Sequence, residues 1–276
     1  MASRSRLQIL MVLVVALLVG TVLSAQIVKK AQSTLDDLTA VADRVHVNPQ
    51  AVAANQFRAE SQNLESPIVA DTLAAWDRFM TEHGASWDLM LDRRTGHAAL
   101  VEGSGIPWVP GAGNALAERS VSRDGVIQLA REFVQSYPEL FGVDAGELEV
   151  MEEATGEFGG YLWFVHFRRV VAGVPVERAY VVFRVNHGNL VQFGGEFLGA
   201  IYVDTVPTLD LETVRQILSG YIGGFEPRDS WVNEGSLSIL PTAPAGDIGV
   251  FNGRPCHGVE YHLVYTLAFR REGVMG

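Results

Sequence analysis

Apolar and polar positions along the chain change period several times, and each change predicts an element. From Pro67 the spacing of Ile68, Leu73, Trp76, Phe79 and Met80 places them on one helical face, with Asp71 as the expected cap and Gly84 as the stop. Trp87 to Asp92 then alternates as a strand, Arg94-Thr95-Gly96 turns, and His97 to Val101 returns, predicting a small hairpin. Ser122 caps a second predicted helix whose apolar face is Ile127, Leu129, Ala130, Phe133 and Val134, and Pro138 stops it. The run Tyr137-Pro138-Glu139-Leu140-Phe141-Gly142-Val143 leads on to a strand at Leu148-Glu149-Val150.

Three strand-like runs follow between Tyr161 and Gly195. They are Leu162 to Arg169, dense in aromatic and β-branched side chains, then Val181 to Val185, then Leu190 to Phe193. Ala172-Gly173-Val174-Pro175-Val176 is the expected first corner, and Asn186-His187-Gly188-Asn189 has the chemistry of a tight hairpin. Such an antiparallel meander is a surface for packing or docking. Beyond Pro207, Asp210 caps a helix through Leu211, Val214, Ile217 and Leu218, followed by strands near Leu237 to Leu240 and from Tyr261 to Phe269.

Between the first hairpin and the second helix, Gly103 to Asn114 holds four glycines and two prolines in twelve residues, a composition that predicts a linker outside both cores. It has neither the lysine and spacing of a P-loop nor the third glycine of a dinucleotide loop, so no phosphate site is expected.

Residues 1–25 read as an export signal: Arg4 and Arg6, an apolar run from Leu7 to Leu23, then small residues at Ser24 and Ala25. The run is also nearly long enough to anchor the chain if uncleaved, so a membrane is expected only through residues 7–23. Either way the bulk of the chain is expected outside the cytoplasm, secreted or in the cell envelope. Residues 26–66 are polar, in part helical between Ser33 and Arg44, and read as an arm. Composition is globular, with 48% hydrophobic and 19% charged residues. Net charge is −11, and loss of Arg4 and Arg6 would make it −13, which argues against nucleic acid or anionic lipid as the main partner. The lone Cys256 allows no internal disulfide.

No constellation of catalytic residues is legible. Cys256 adjoins His257, but a nucleophile needs its base positioned in space. None of the seven histidines forms His-Glu-x-x-His, the helical zinc motif of metalloproteases. Glu82-His83 lacks a second histidine, and His257-x-x-Glu260-x-His262 lies in a strand context that puts Glu260 and His262 on one face. His166 reads as a hydrogen-bonded sheet residue. The adjacent pairs Glu152-Glu153 and Asp36-Asp37 read as solvated charge. Catalytic, cofactor and metal residues are therefore expected to be absent.

The helix–turn–strand order, the Tyr-Pro-x-Leu-Phe-Gly run and the meander with Gly173-Val174-Pro175-Val176 at its corner together resemble the fungalysin/thermolysin propeptide (FTP) domain, over roughly residues 120–200. The helix and strands after Pro207 look like the PepSY domain that follows it. One departure is Glu177-Arg178, where small or aromatic residues are common in the family. The resemblance implies an α+β fold of two cystatin-like units, each a helix packed on an antiparallel sheet. The expected organisation is signal or anchor (1–25), polar arm (26–66), helix with hairpin and linker (67–118), FTP-like domain (119–205) and PepSY-like domain (206–276). In the family a further strand and the protease follow, so the chain is expected to be cut short at Gly276. The implied role is a non-catalytic propeptide that helps a zinc metalloprotease fold and inhibits it, the partner being that catalytic domain in cis or in trans. Two alternatives stay open: a free-standing envelope or secreted protease inhibitor, and the N-terminal fragment of a metallopeptidase whose active site lies elsewhere. An adhesion role would predict tandem copies, and no repeat is present.

Overall fold

The computed structural model describes residues 56–58, 66–244 and 257–271, all within one compact unit spanning 51–276. The expected signal, nearly all of the polar arm, Asp36-Asp37 and Cys256 lie outside the described residues. Among the described residues no helix is long and apolar enough to cross a membrane.

The elements run β1 (Gln56–Arg58), α1 (Pro67–His83), β2 (Trp87–Asp92), β3 (Ala98–Pro107), α2 (Arg123–Ser136), α3 (Pro138–Phe141), β4 (Leu148–Val150), β5 (Gly156–Phe158), β6 (Leu162–Val171), β7 (Val174–Asn186), β8 (Asn189–Glu196), α4 (Leu211–Ile222), β9 (Ser230–Thr242) and β10 (Glu260–Arg270). The fold is α+β with helices on antiparallel sheet. Strand order in the main sheet is β1-β2-β3-β8-β7-β6-β4, with β5 also on β6. β9 joins β7 through a single parallel bridge, Val176 with Ile239, and β10 pairs β9.

The three expected strands are present and longer than their apolar cores suggested. Trp163, Val165 and Phe167 of β6, Val181, Phe183 and Val185 of β7, and Leu190 and Phe193 of β8 all point inward. Alternation therefore sorts one apolar face from one half-exposed face. The expected corner at 172–176 shrinks to Ala172 and Gly173, because Val174-Pro175-Val176 already belongs to β7. Both turn residues have positive φ, +49° and +81°, and His187-Gly188 repeats the pattern at +47° and +88°. Those signs suit the turn whose twist matches the flanking strands.

Two expectations about α1 change. Ser66 rather than Asp71 is its N-cap residue, with Pro67 opening the helix. Its buried face is Val69, Thr72, Ala75, Trp76 and Phe79, while Ile68 is 41% exposed. Phe79, fully buried, has ring neighbours at Trp76, Trp87, Phe133, Tyr137 and Phe193, with centroids 5.1–6.2 Å away. Helix α2 keeps its expected cap, Gly125 N–H donating to Ser122 Oγ at 3.1 Å, and buries Val126, Ile127, Ala130, Phe133 and Val134. α1 and α2 thus share one core with the β6–β8 meander.

The expected linker is overturned. β3 continues through Gly103-Ser104-Gly105-Ile106-Pro107 and lies between β2 and β8. Trp108 and Val109 are buried, and both of their N–H groups donate to the Gly188 carbonyl. A Cβ on Gly103 would fall 2.3 Å from the Trp87 ring, so this glycine permits close approach. Two extra residues of β3 between its pairs Glu102–Gln192 and Ile106–Leu190 form a bulge. Glycine here marks crowding, not looseness.

The second layer is smaller. α4 is capped by Asp210, whose Oδ1 accepts from Thr213 N–H at 2.7 Å, yet none of its residues is fully buried. It lies against β9 through Arg215, which donates to the Glu234 carbonyl at 2.7 Å and sits over the Trp231 ring. Beneath this layer a separate core holds five buried residues, Val174, Val176, Ala179, Phe197 and Ile239.

Candidate functional site

The motif residues Gly173-Val174-Pro175-Val176 seat the second layer on the first. Val170 faces Pro175 and Val171 faces Val174, after which the register with β6 breaks. Between the pairs Val170–Pro175 and Arg168–Tyr180, β7 carries three more residues than β6. That irregularity turns Val176 away to meet Ile239 of β9. Val174 and Val176 are buried in the small core and Pro175 is exposed. The departure at Glu177-Arg178 falls in this bulge. Arg178 has φ +59°, donates to the Pro241 carbonyl at 3.3 Å and lies over the Phe197 ring.

Beside this junction a cleft of about 700 Å³ opens between the β2–β3 turn, residues 198–202 and the start of β10. Its floor is charged and paired. Asp92, 4% exposed, accepts from Arg94 N–H at 2.8 Å, from Nε at 3.0 and 3.2 Å, and from Nη2 at 2.7 Å. Burial is the largest influence and opposes the charge on Arg94, but its hydrogen bonds to Asp92 together with the nearby charges of Asp92 and Glu196 hold its pKa above the ordinary value. Gly258 N–H donates to the Arg94 carbonyl at 3.1 Å and fastens the entry to β10. Thr95 Oγ1 is buried with no hydrogen-bond partner among the described residues. Burial pushes the Tyr261 phenol up.

His97, also on the cleft, is 7% exposed. Its Nδ1 lies 3.0 Å from the Glu139 carbonyl, an acceptor only, so Nδ1 carries the proton and Nε2 is left unprotonated. Burial lowers the His97 pKa, against the raising effect of the carbonyl, and keeps the ring neutral. A Cβ on Gly142 would come 2.2 Å from His97 Nε2. The last residue of the Tyr-Pro-x-Leu-Phe-Gly run therefore serves two needs. It adopts φ +61° after α3 and leaves room for the ring.

His257, Glu260 and His262 line the same cleft. His262 Nε2 is 3.8 Å from Glu260 Oε2 and 3.1 Å from Thr242 Oγ1, so alternation places Glu260 and His262 together as expected. Among the described residues no group of three or more His, Cys, Asp or Glu could hold a metal ion. Glu82 and His83 instead close around Tyr137: its hydroxyl donates to Glu82 and lies 2.9 Å from His83 Nε2. Burial, then the hydrogen bond to Glu82, raises the Tyr137 pKa. This cluster ties the end of α1 to the end of α2. His166 sits on the half-exposed sheet face, its backbone held by Thr155 Oγ1, with its pKa lowered by burial and by Arg184.

The outer face of the main sheet is a second candidate surface. Leu162 and Phe164 of β6, Arg184 of β7, Gln192 of β8, Glu102 of β3 and Asp88 of β2 line a shallow trough of about 560 Å³. Arg184 lies over the Phe164 ring at 5.7 Å. Sequence reading identified the strands but not this grouping, which depends on β3 lying beside β8.

No protein-family model matches the chain, and no curated protein matches it. Among solved structures, the Bacillus megaterium YpeB C-terminal domain is similar over 68% of this chain and 68% of that chain, at 9% identity and a TM-score of 0.31. A likeness of that size says nothing about function.

Proposed function

We propose that this chain is an exported, non-catalytic docking protein of the metalloprotease-propeptide type, which assists folding of a zinc metalloprotease catalytic domain and inhibits it. The observation that supports this reading is the one-sided sheet. α1 and α2 pack on the inner face, whereas Leu162, Phe164, Arg184 and Gln192 line the opposite one. An apolar ring flanked by Arg184, Glu102 and Asp88 suits recognition of a protein surface by shape with charge at the rim. The FTP-like motifs supply the partner class. Helper activity would rest on higher affinity for the folding-competent protease than for its misfolded states.

The test adds the full chain to a refolding thermolysin-like catalytic domain encoded beside its gene. Refolded yield should rise and casein hydrolysis by the mature domain should fall. Phe164→Glu, on the open face, should lose both effects while the melting temperature holds. No gain in yield and no inhibition would overturn the reading.

A further inference from the structure

β10 is the end strand of the sheet: it pairs β9 on one side and no other described strand. Strands in that position are usually kept from pairing by shortness, proline, lysine or bulges. β10 has none of these. It runs eleven residues, Glu-Tyr-His-Leu-Val-Tyr-Thr-Leu-Ala-Phe-Arg, a length of about 36 Å at 3.3 Å per residue. The irregularities in its pairing with β9 all lie on β9, which uses five steps from Ser236 to Trp231 against three from Thr266 to Phe269. β10 itself is continuous. No residue of it is fully buried, although Tyr261, Leu263, Tyr265, Leu267 and Phe269 all face one side.

Its sequence is complementary to itself in the antiparallel sense. Charges stand at the two ends, Glu260 and Arg270, both exposed and both equally distant from Tyr265. A two-fold axis through Tyr265 sets Glu260 opposite Arg270 of the second copy. The same register sets Tyr261 against Phe269, Leu263 against Leu267, Val264 against Thr266, and Tyr265 against itself. A one-residue slip would put the apolar row of one copy beside the polar row of the other. A two-residue slip keeps the rows but moves each end charge off its opposite. One register satisfies both faces and both charges.

We propose that β10 is a homodimer interface, in which two copies of this chain pair antiparallel through β10 about Tyr265. The two β9–β10 hairpins then form one four-stranded sheet with both α4 helices on the same side. A two-stranded layer gains little independent stability and a four-stranded one gains more. An isologous contact of this kind also closes on itself and leaves no growing end. The inference is independent of the propeptide role.

The experiment uses the full chain in a Cys256→Ser background. Sedimentation should give a dimer whose dissociation constant rises about tenfold with either Glu260→Arg or Arg270→Glu, and returns when the two are combined. Under mild oxidation Tyr265→Cys should form a cross-linked dimer, and so should the double variant His262→Cys/Ala268→Cys. His262→Cys alone should not, because its own copy lies six positions along the strand. Circular dichroism that matches the parent confirms each variant is folded. A monomer at every concentration, equal cross-linking by His262→Cys alone, or no restoration in the double charge reversal would overturn the proposal. A monomeric chain whose β10 instead captures a strand of the protease would overturn it as well.

Discussion

Arg169 Nε and Nη2 both lie 2.9 Å from one carboxylate oxygen of Glu147, while Nη1 donates to the Gly199 carbonyl at 2.5 Å. Arg169 is 3% exposed, so this guanidinium is removed from water and answered by an acid and a backbone carbonyl together. It ties β6 to the segment that forms one wall of the cleft. Removing it strands Glu147 and leaves the Gly199 carbonyl without this donor. Glu147→Gln leaves the buried guanidinium without its counter-charge and should cost about 3 kcal/mol, whereas Arg169→Met leaves the partly solvated Glu147 and should cost about 1–2 kcal/mol. Urea denaturation of the two variants checks the order and the size.

Acid should destabilise the fold before its carboxylates titrate. Burial lowers the pKa values of His97, His83 and His166 from the usual 6.5. In that case the unfolded chain binds protons that the folded chain refuses. The stabilisation is complete above about pH 6.5 and is lost as the pH falls toward the lowered folded values. The midpoint of urea denaturation should therefore decline below about pH 6.5, and His97→Gln should flatten part of that slope. An unchanged slope would show that His97 is not protected from protonation.

The turn between β6 and β7 holds a residue in a conformation that alanine resists. Ala172 has φ +49° and precedes Gly173 at +81°. Ala172→Asn would create the Asn-Gly pair that suits this turn and should stabilise the protein by about 0.5–1 kcal/mol. Gly173→Val should destabilise by about 1–2 kcal/mol through backbone strain, since nothing lies within 4 Å of the added Cβ. Thermal melts of both variants measure the pair.

Phe133 packs against Phe79, Trp108, Phe183 and Phe193 with centroids 4.8–6.2 Å away. Phe133→Ala should cost about 3–5 kcal/mol. An unchanged denaturation midpoint would show that the α2 face is misassigned.

Ile239 is fully buried and is the residue through which β9 meets β7. Ile239→Ala should loosen the second layer ahead of the first. Amide exchange should quicken in 230–242 and 260–270 while β6–β8 keeps its protection. Equal acceleration in both layers would mean that they unfold as one.

Much of the local structure was legible because it rests on neighbours in sequence. Ser122 and Asp210 cap the helices they were expected to cap, since a side-chain oxygen need reach only three residues ahead. The strands at 162, 181, 190 and 261 followed from aromatic and β-branched alternation, and the Asn186–Asn189 turn from its Gly188. What strand a segment pairs with is not a local property. Gly103 to Pro107 has a linker's composition, yet it is a strand because Trp87 fills the space its missing Cβ leaves. The reach of β7 back to Val174, the bulge that sends Val176 to Ile239, and the meeting of Arg94, His97 and Tyr261 in one cleft all depend on contacts between distant segments. Sequence alone determined the helical and strand periods, the caps of α2 and α4 and the tight turns, whose energies are set within a few residues. Tertiary structure alone decided sheet order, which glycines mark close packing, and which charges are buried together, because those energies arise only when distant segments exclude water from each other.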